Sequence, residues 1–149
     1  MSEPMRTEPT RLAPDEILAG LNGALRAERQ AVADYDAHAR ACERLDVRNA
    51  LETLRDVERE HGLRLARRIT ALGGSPVSEP ADARPLGESL ADWLADDLQS
   101  EQWAILEYAR LVAGIVDDDE TVELMTELLV DEIRHATWLK STLRALAHA

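Results

Sequence analysis

Glutamate and histidine stand three residues apart twice in this chain, as Glu58-Arg59-Glu60-His61 and Glu132-Ile133-Arg134-His135. On a helix that spacing puts both side chains on one side, so each pair can grip one metal ion through a carboxylate oxygen and an imidazole nitrogen. The motif alone is weak: with 16 Glu and four His in 149 residues, two such pairs arise by chance in roughly one chain of fifteen. Their surroundings carry more weight. Both pairs, together with Glu28 and Glu101, replace apolar residues on otherwise apolar helical stripes. An unpaired ionised carboxylate on a core face costs many kcal/mol, so four of them demand a compensating cation. Hard oxygens with two nitrogens and no sulfur suit iron or manganese.

Four amphipathic stripes must position these groups. Pro14, Asp15 and Glu16 make a first helical turn, with proline where its missing N–H costs nothing and acids at the positive end of the dipole. From there Ile17, Leu21, Ala24, Glu28, Ala31, Tyr35, His38, Cys42 and Leu45 step by four and three, the period of packed helices. Asp46 is the expected cap of a second helix, whose stripe of Val47, Leu51, Leu54, Glu58, His61, Leu65, Ile69 and Leu72 is closed by Gly73-Gly74. Residues 73–87 hold three prolines and three glycines and read as a long crossover. A third stripe runs from Leu90 through Glu101 and Tyr108 to Ile115. After the acidic turn Asp117-Asp118-Asp119-Glu120, a fourth runs from Val122 through Glu132 and His135 to Leu146.

The two halves repeat. Leu25, Glu28, Ala31 and Tyr35 match Leu98, Glu101, Ala104 and Tyr108, and Glu58, His61 and Leu65 match Glu132, His135 and Leu139. Depth agrees as well. Glu28 lies about 18 residues before the first turn and Glu58 about 12 after it, and Glu101 about 17 before the second turn and Glu132 about 14 after it. At about 1.5 Å per residue all four carboxylates fall within a few turns of one level. The expectation is an all-α four-helix bundle of two hairpins joined by the crossover over residues 14–149, with residues 1–13 as a flexible N-terminal arm. Four Glu and two Glu-x-x-His histidines in such a core form a dinuclear carboxylate donor set.

Composition agrees and excludes alternatives. Ala (23) and Leu (22) dominate, which favours helix. Seventeen basic residues against 29 acidic give a net charge of −12, which repels phosphate backbones and attracts cations, so no nucleic-acid partner is expected. No apolar run approaches the roughly 18 residues of a membrane span, and the N-terminus has no signal-peptide stretch; a soluble cytoplasmic protein is the default. The single Cys42 forms neither an internal disulfide nor an all-thiolate metal site.

On these residues the chain resembles the ferritin-like superfamily, and bacterioferritins most of all. The resemblance runs from about Leu21 to Leu143. It includes Glu28 followed by Tyr35, Glu58-x-x-His61, Asp97-Leu98-x-x-Glu101, and Asp131-Glu132-x-x-His135-x-x-Trp138-Leu139. It implies that Glu58 and Glu132 bridge two irons, with Glu28 and His61 on one and Glu101 and His135 on the other. Tyr35 matches the tyrosine beside the centre and is the catalytic candidate. The implied activity is ferroxidation, oxidation of Fe²⁺ to Fe³⁺ by dioxygen or hydrogen peroxide, with iron storage or detoxification as its setting.

Three departures qualify the resemblance. Arg59 stands where bacterioferritins carry the haem methionine, so no haem is expected. Thr53 and Val57 stand where some of them carry inner-surface iron ligands. The chain ends 14 residues after His135, short of the fifth helix of shell-forming families, so a homodimer is expected in place of a shell. The same donors also support a di-iron oxygenase or peroxidase acting on an organic molecule or peroxide. A metal-stabilised dimerisation module is the alternative without catalysis. His38, lacking a Glu three residues before it, is expected to be a hydrogen-bonded core or interface histidine. Tyr108 is read equally as core filler or as a neighbour of the metals, and the three tryptophans as packing or interface residues.

Overall fold

In the computed structural model, which describes residues 10–148, four helices follow in order: α1 (Pro14–Ala41), α2 (Leu45–Ala71), α3 (Leu90–Gly114) and α4 (Asp119–Ala147). The bundle is all-α among the described residues. α1 packs chiefly against α2 and α3 against α4; α1 also touches α3, and α2 touches α4 more sparsely. The two helices bearing Glu-x-x-His are thus neighbours, each the second helix of its hairpin. Residues 1–9 of the expected N-terminal arm lie outside the described residues. Next to them, Leu12 is buried against the core and donates its N–H to the Gly114 carbonyl at 2.9 Å.

Local chemistry sets the helix ends. Glu16 accepts from the N–H of Ala13 at 3.1 Å, just ahead of Pro14, which satisfies an otherwise free donor of the first turn. At the start of α2 the sequence expectation is corrected. The cap position is Arg44, with no side-chain cap, and Asp46 lies inside the first turn and pairs with Arg44 at 3.2 Å. α2 ends as expected: Gly73 takes a φ of 84°, the left-handed conformation that glycine adopts without a Cβ clash. Ser89 caps α3 by accepting from the Asp92 N–H, and Asp118 caps α4 by accepting from the Thr121 N–H.

Arg68 reaches from α2 to that second cap. It donates to both Asp118 oxygens at 3.0 and 3.1 Å and to Thr121 at 2.8 Å. The acidic turn is therefore tied to α2 by a fork of charge-assisted hydrogen bonds. The crossover lies along α1, where Asn22 exchanges hydrogen bonds with Ser75 and Val77, and Gln30 donates to the Asp82 carbonyl. Arg84 then donates from its backbone and its Nε to the buried Asp34, both at 2.8 Å, and from Nη2 to Ser100 on α3.

The apolar interior falls into two clusters. One gathers Leu21, Leu25, Leu65, Ile69, Leu111, Met125 and Leu128, and the other Leu51, Leu54, Leu94 and Leu139 with Tyr35 and Cys42. Along each stripe the Glu and His residues fall between them, so hydrophobic burial on both sides fixes the helices that aim those polar groups.

Candidate metal centre

All six residues singled out by the stripes meet in that layer. Glu28, Glu58, Glu101, Glu132, His61 and His135 are each at most 6% exposed. Their donor atoms form two groups, Glu28, Glu58, His61 and Glu132, and Glu58, Glu101, Glu132 and His135, each lying within 4.8 Å of one another. Glu58 and Glu132 belong to both. The histidine rings lie side by side, 6.3 Å between centroids and 17° from parallel.

One atom from each of the six lacks a hydrogen-bond partner although buried: Glu28 Oε2, Glu58 Oε1, His61 Nδ1, Glu101 Oε2, Glu132 Oε1 and His135 Nδ1. Several are close without being aligned for hydrogen bonds. His61 Nδ1 is 3.1 Å from Glu132 and 3.4 Å from Glu28, and His135 Nδ1 is 2.7 Å from Glu58 and 3.4 Å from Glu101. Buried polar atoms are rarely left unpaired, and here they converge on two common points. Four carboxylates and two neutral imidazoles also balance two divalent cations in charge. The residues present therefore fit a pair of divalent metal ions.

The proton affinities report the same shortage of positive charge. Burial, and next the charge of Glu28, holds Glu58 and Glu132 well above the usual carboxylate range. Burial works against a charged His61, but Glu132, Glu28 and Asp131 outweigh it and raise its pKa to about 10. At Glu101 burial is outweighed by the neighbouring Glu132, by the close approach and charge of His135 and by the Tyr35 hydrogen bond, and the pKa falls. Without cations, protons are retained in the cluster to limit repulsion; bound cations displace them.

Around this layer the remaining hydrogen bonds hold the carboxylates. Tyr35 donates to Glu101 and Tyr108 to Glu28, each at 2.6 Å and each buried. Tyr108, open on the sequence, is thus a neighbour of the cluster; its match to Tyr35 in the internal repeat was the signal. His38 bonds Asp97 at 2.7 Å and stacks on Trp93, as expected of a core histidine. Asp97 is raised to about 6, by burial first, with His38 opposing. Asp131, singled out on the sequence only as part of the resemblance, accepts from His61 Nε2 at 2.8 Å.

A cavity of about 350 Å³ between α1 and α3 reaches Glu28, Glu58, Glu101 and Glu132, with Ala27, Ala31, Trp103 and Ala104 among its walls. Small side chains on both helices leave this space. A second cavity, about 470 Å³ on the α1/α2 face, touches Glu58 and is lined by Arg29, Arg40 and Arg59.

Comparison with known proteins agrees with this geometry. Residues 18–149 match the ferritin-like domain family. The bacterioferritin-related protein of Bacteroides fragilis, described as a dodecameric thioferritin, is 26% identical over 93% of this chain and 90% of its own, with a TM-score of 0.83. A ferritin-like di-iron carboxylate protein from Bacillus anthracis is 26% identical over 87% and 96%, with a TM-score of 0.80. The bacterioferritin of Rhodobacter capsulatus, at 24% identity over 93% and 89% with a TM-score of 0.82, shares the fold. No helix among the described residues is long and apolar enough to cross a membrane. The chain belongs to the ferritin-like family.

Proposed function

We propose that this protein is a ferroxidase-type oxidoreductase that takes two Fe²⁺ per chain into the cluster and releases them as Fe³⁺. The observation that carries this reading is the set of six unpaired buried donor atoms, one from each of Glu28, Glu58, His61, Glu101, Glu132 and His135. In this assignment Glu58 and Glu132, common to both donor groups, bridge the two ions. Glu28 with His61 completes one position and Glu101 with His135 the other; manganese fits the same donors.

Iron is substrate here, and the electrons balance simply. Two Fe²⁺ give up one electron each, and dioxygen takes both with two protons to become hydrogen peroxide. Hydrogen peroxide as oxidant takes two electrons and two protons to become two waters. Bridging carboxylates suit the change because they hold two metals close and can alter their binding mode as charge rises. Tyr35, hydrogen-bonded to Glu101, is assigned as the residue acting beside the metals. No haem is part of this proposal, since Arg59 occupies the methionine's place. A cytoplasmic homodimer is the proposed state, with iron storage or detoxification as the setting.

The alanine-walled cavity that reaches the four carboxylates favours a second reading, oxidation of a small organic molecule or peroxide at the same centre. An anaerobic Fe²⁺ titration followed by timed dioxygen uptake tests the first. Two Fe²⁺ bound per chain and about one dioxygen consumed per two Fe²⁺ support ferroxidation. Binding without oxidation by dioxygen or peroxide overturns it.

A further inference from the structure

The cavity between α1 and α3 has two chemically different ends. At its inner end stand Glu28, Glu58, Glu101 and Glu132, each at most 2% exposed, and at its outer end Arg84, whose side chain is 44% exposed. Arg84 is the one basic residue in the wall among the described residues. Two alanines matched by the internal repeat, Ala31 and Ala104, keep the space between these ends open, and Trp103 forms part of the wall while 49% exposed. An indole so placed offers apolar area to whatever enters.

Arg84 is braced as a receptor would be. Its backbone N–H and its Nε both donate to Asp34 at 2.8 Å, and its Nη2 donates to Ser100 Oγ at 3.0 Å. Asp34 is 3% exposed and does not line the cavity, so it fixes the guanidinium from behind. Nη1 has no partner among the described residues. Ser100, which accepts from Arg84, keeps its own hydroxyl proton to donate. The crossover thereby brings a preset fork of donors to the mouth of a space that ends at four carboxylates.

The wall chemistry selects the ligand. A guanidinium edge and a hydroxyl recognise a flat oxyanion. With only one guanidinium, already matched by Asp34 and facing four buried acids, a doubly charged phosphate is disfavoured against a singly charged carboxylate. Alanine and tryptophan walls favour a hydrocarbon tail. At about 350 Å³ the space lies at the small end of ligand sites, roughly 300–1,000 Å³. We propose that this cavity binds a small aliphatic carboxylic acid as its anion, with the carboxylate on Arg84 and Ser100 and the tail along Ala31, Ala104 and Trp103 toward the four glutamates. The site holds its ligand whichever oxidation the centre performs, and it gives the organic-substrate reading a chemical class.

Calorimetry on the full chain loaded with Zn²⁺, which has no redox chemistry, tests this with the unbranched acids from acetate to hexanoate. Hexanoate should bind once per chain, and each methylene added from acetate upward should tighten binding about three- to fourfold. Hexanamide, equal in size and uncharged, should bind at least about tenfold more weakly. Arg84→Gln should weaken hexanoate about 10–100-fold. Ala31→Leu leaves the Arg84–Asp34 pair intact and fills part of the space, and it should weaken hexanoate about tenfold or more. Absence of binding up to about 10 mM hexanoate, equal affinity for acid and amide, or a hexanoate affinity unchanged in either variant would overturn the proposal. Unchanged affinity in Arg84→Gln would mean in particular that the carboxylate sits on the metals and not on the guanidinium.

Discussion

Tyr108 reaches from α3 to α1 and gives its hydroxyl proton to Glu28 at 2.6 Å, while Tyr35 reaches from α1 to α3 and does the same for Glu101. The two bonds cross the bundle in opposite directions at residues matched by the internal repeat. Burial, and after it the neighbouring carboxylate charges, raises both phenols well above their ordinary pKa, so both stay protonated and remain donors. Each thereby fixes one carboxylate oxygen and leaves the other, unpaired, turned to the centre.

Removing either hydroxyl should uncover its cost. Tyr35→Phe and Tyr108→Phe each delete a hydrogen bond to a buried acid, and each should lower the stability of the metal-free protein by about 1.5–3 kcal/mol. Urea unfolding of the two variants measures this. If only Tyr35→Phe also slows iron oxidation, the assignment of Tyr35 as the acting residue gains support; equal slowing would make both tyrosines supports for the carboxylates.

Removal of a shared ligand should be more severe than removal of any nearby acid. Glu58→Ala or Glu132→Ala takes a donor from both metal groups and should reduce the rate of iron oxidation on the order of 100-fold or more. Glu107→Ala is the control, since Glu107 pairs with Arg110 on the surface of α3. Stopped-flow absorbance of Fe³⁺ formation separates the three; equal rates would dismiss the centre.

Much of this arrangement is legible in the residues because charge on an apolar stripe breaks the period where it sits. Glu28, Glu58, His61, Glu101, Glu132 and His135 all stand out in that way, and all six meet. Contacts that leave no mark on the period stay hidden. A tyrosine at 108 completes an apolar stripe whether or not its hydroxyl finds a partner. Asp131 flanks the stripe and so resembles any solvated acid until α2 is placed beside it. Arg84 comes from a crossover with no period at all, and its hold on Asp34 depends on where the loop lies. Asp46 lies two residues past the true cap, Arg44, and is open to misplacement because aspartate is favourable both as a cap and within the first turn.

Arg68 should matter to the fold and not to the chemistry. Its guanidinium joins α2 to the Asp118 cap of α4 while only 18% exposed. Burial raises the Asp118 pKa, but Thr121 and Arg68 outweigh it and the net shift is downward. Arg68→Ala leaves that cap without its cation and should cost about 1.5–3 kcal/mol, seen as a lower thermal midpoint. Unchanged Fe²⁺ oxidation per folded chain would accompany it.

Arg59 offers a test of haem. It lies on the exposed face of α2 paired with Asp56 at 3.1 Å, at the position where the resemblance would require a methionine sulfur. Protein expressed with ample haem should purify without a Soret band. A stoichiometric spectrum of haem held by two methionines would overturn this expectation.

The last prediction concerns pH, and the sign follows from which state holds the protons. Glu58 and Glu132, raised in the folded protein, keep protons that the unfolded chain has already released, so they favour the folded state less as pH rises above about 4.5. His61, raised to about 10, contributes stability that is full below about 6.5 and disappears as pH climbs through 10. Both effects run the same way, so the metal-free protein should lose stability between about pH 6 and about pH 9. Glu101, lowered, acts in the opposite sense, but its contribution is lost only as pH falls through the acid range. Divalent ions replace the retained protons, so their affinity should climb over the same interval and the gap between loaded and metal-free melting temperatures should widen. Paired thermal melts with and without Co²⁺ across that interval check both slopes. A metal-free melting temperature that rises with pH would mean that the carboxylates are already ionised and neutralised by something other than retained protons.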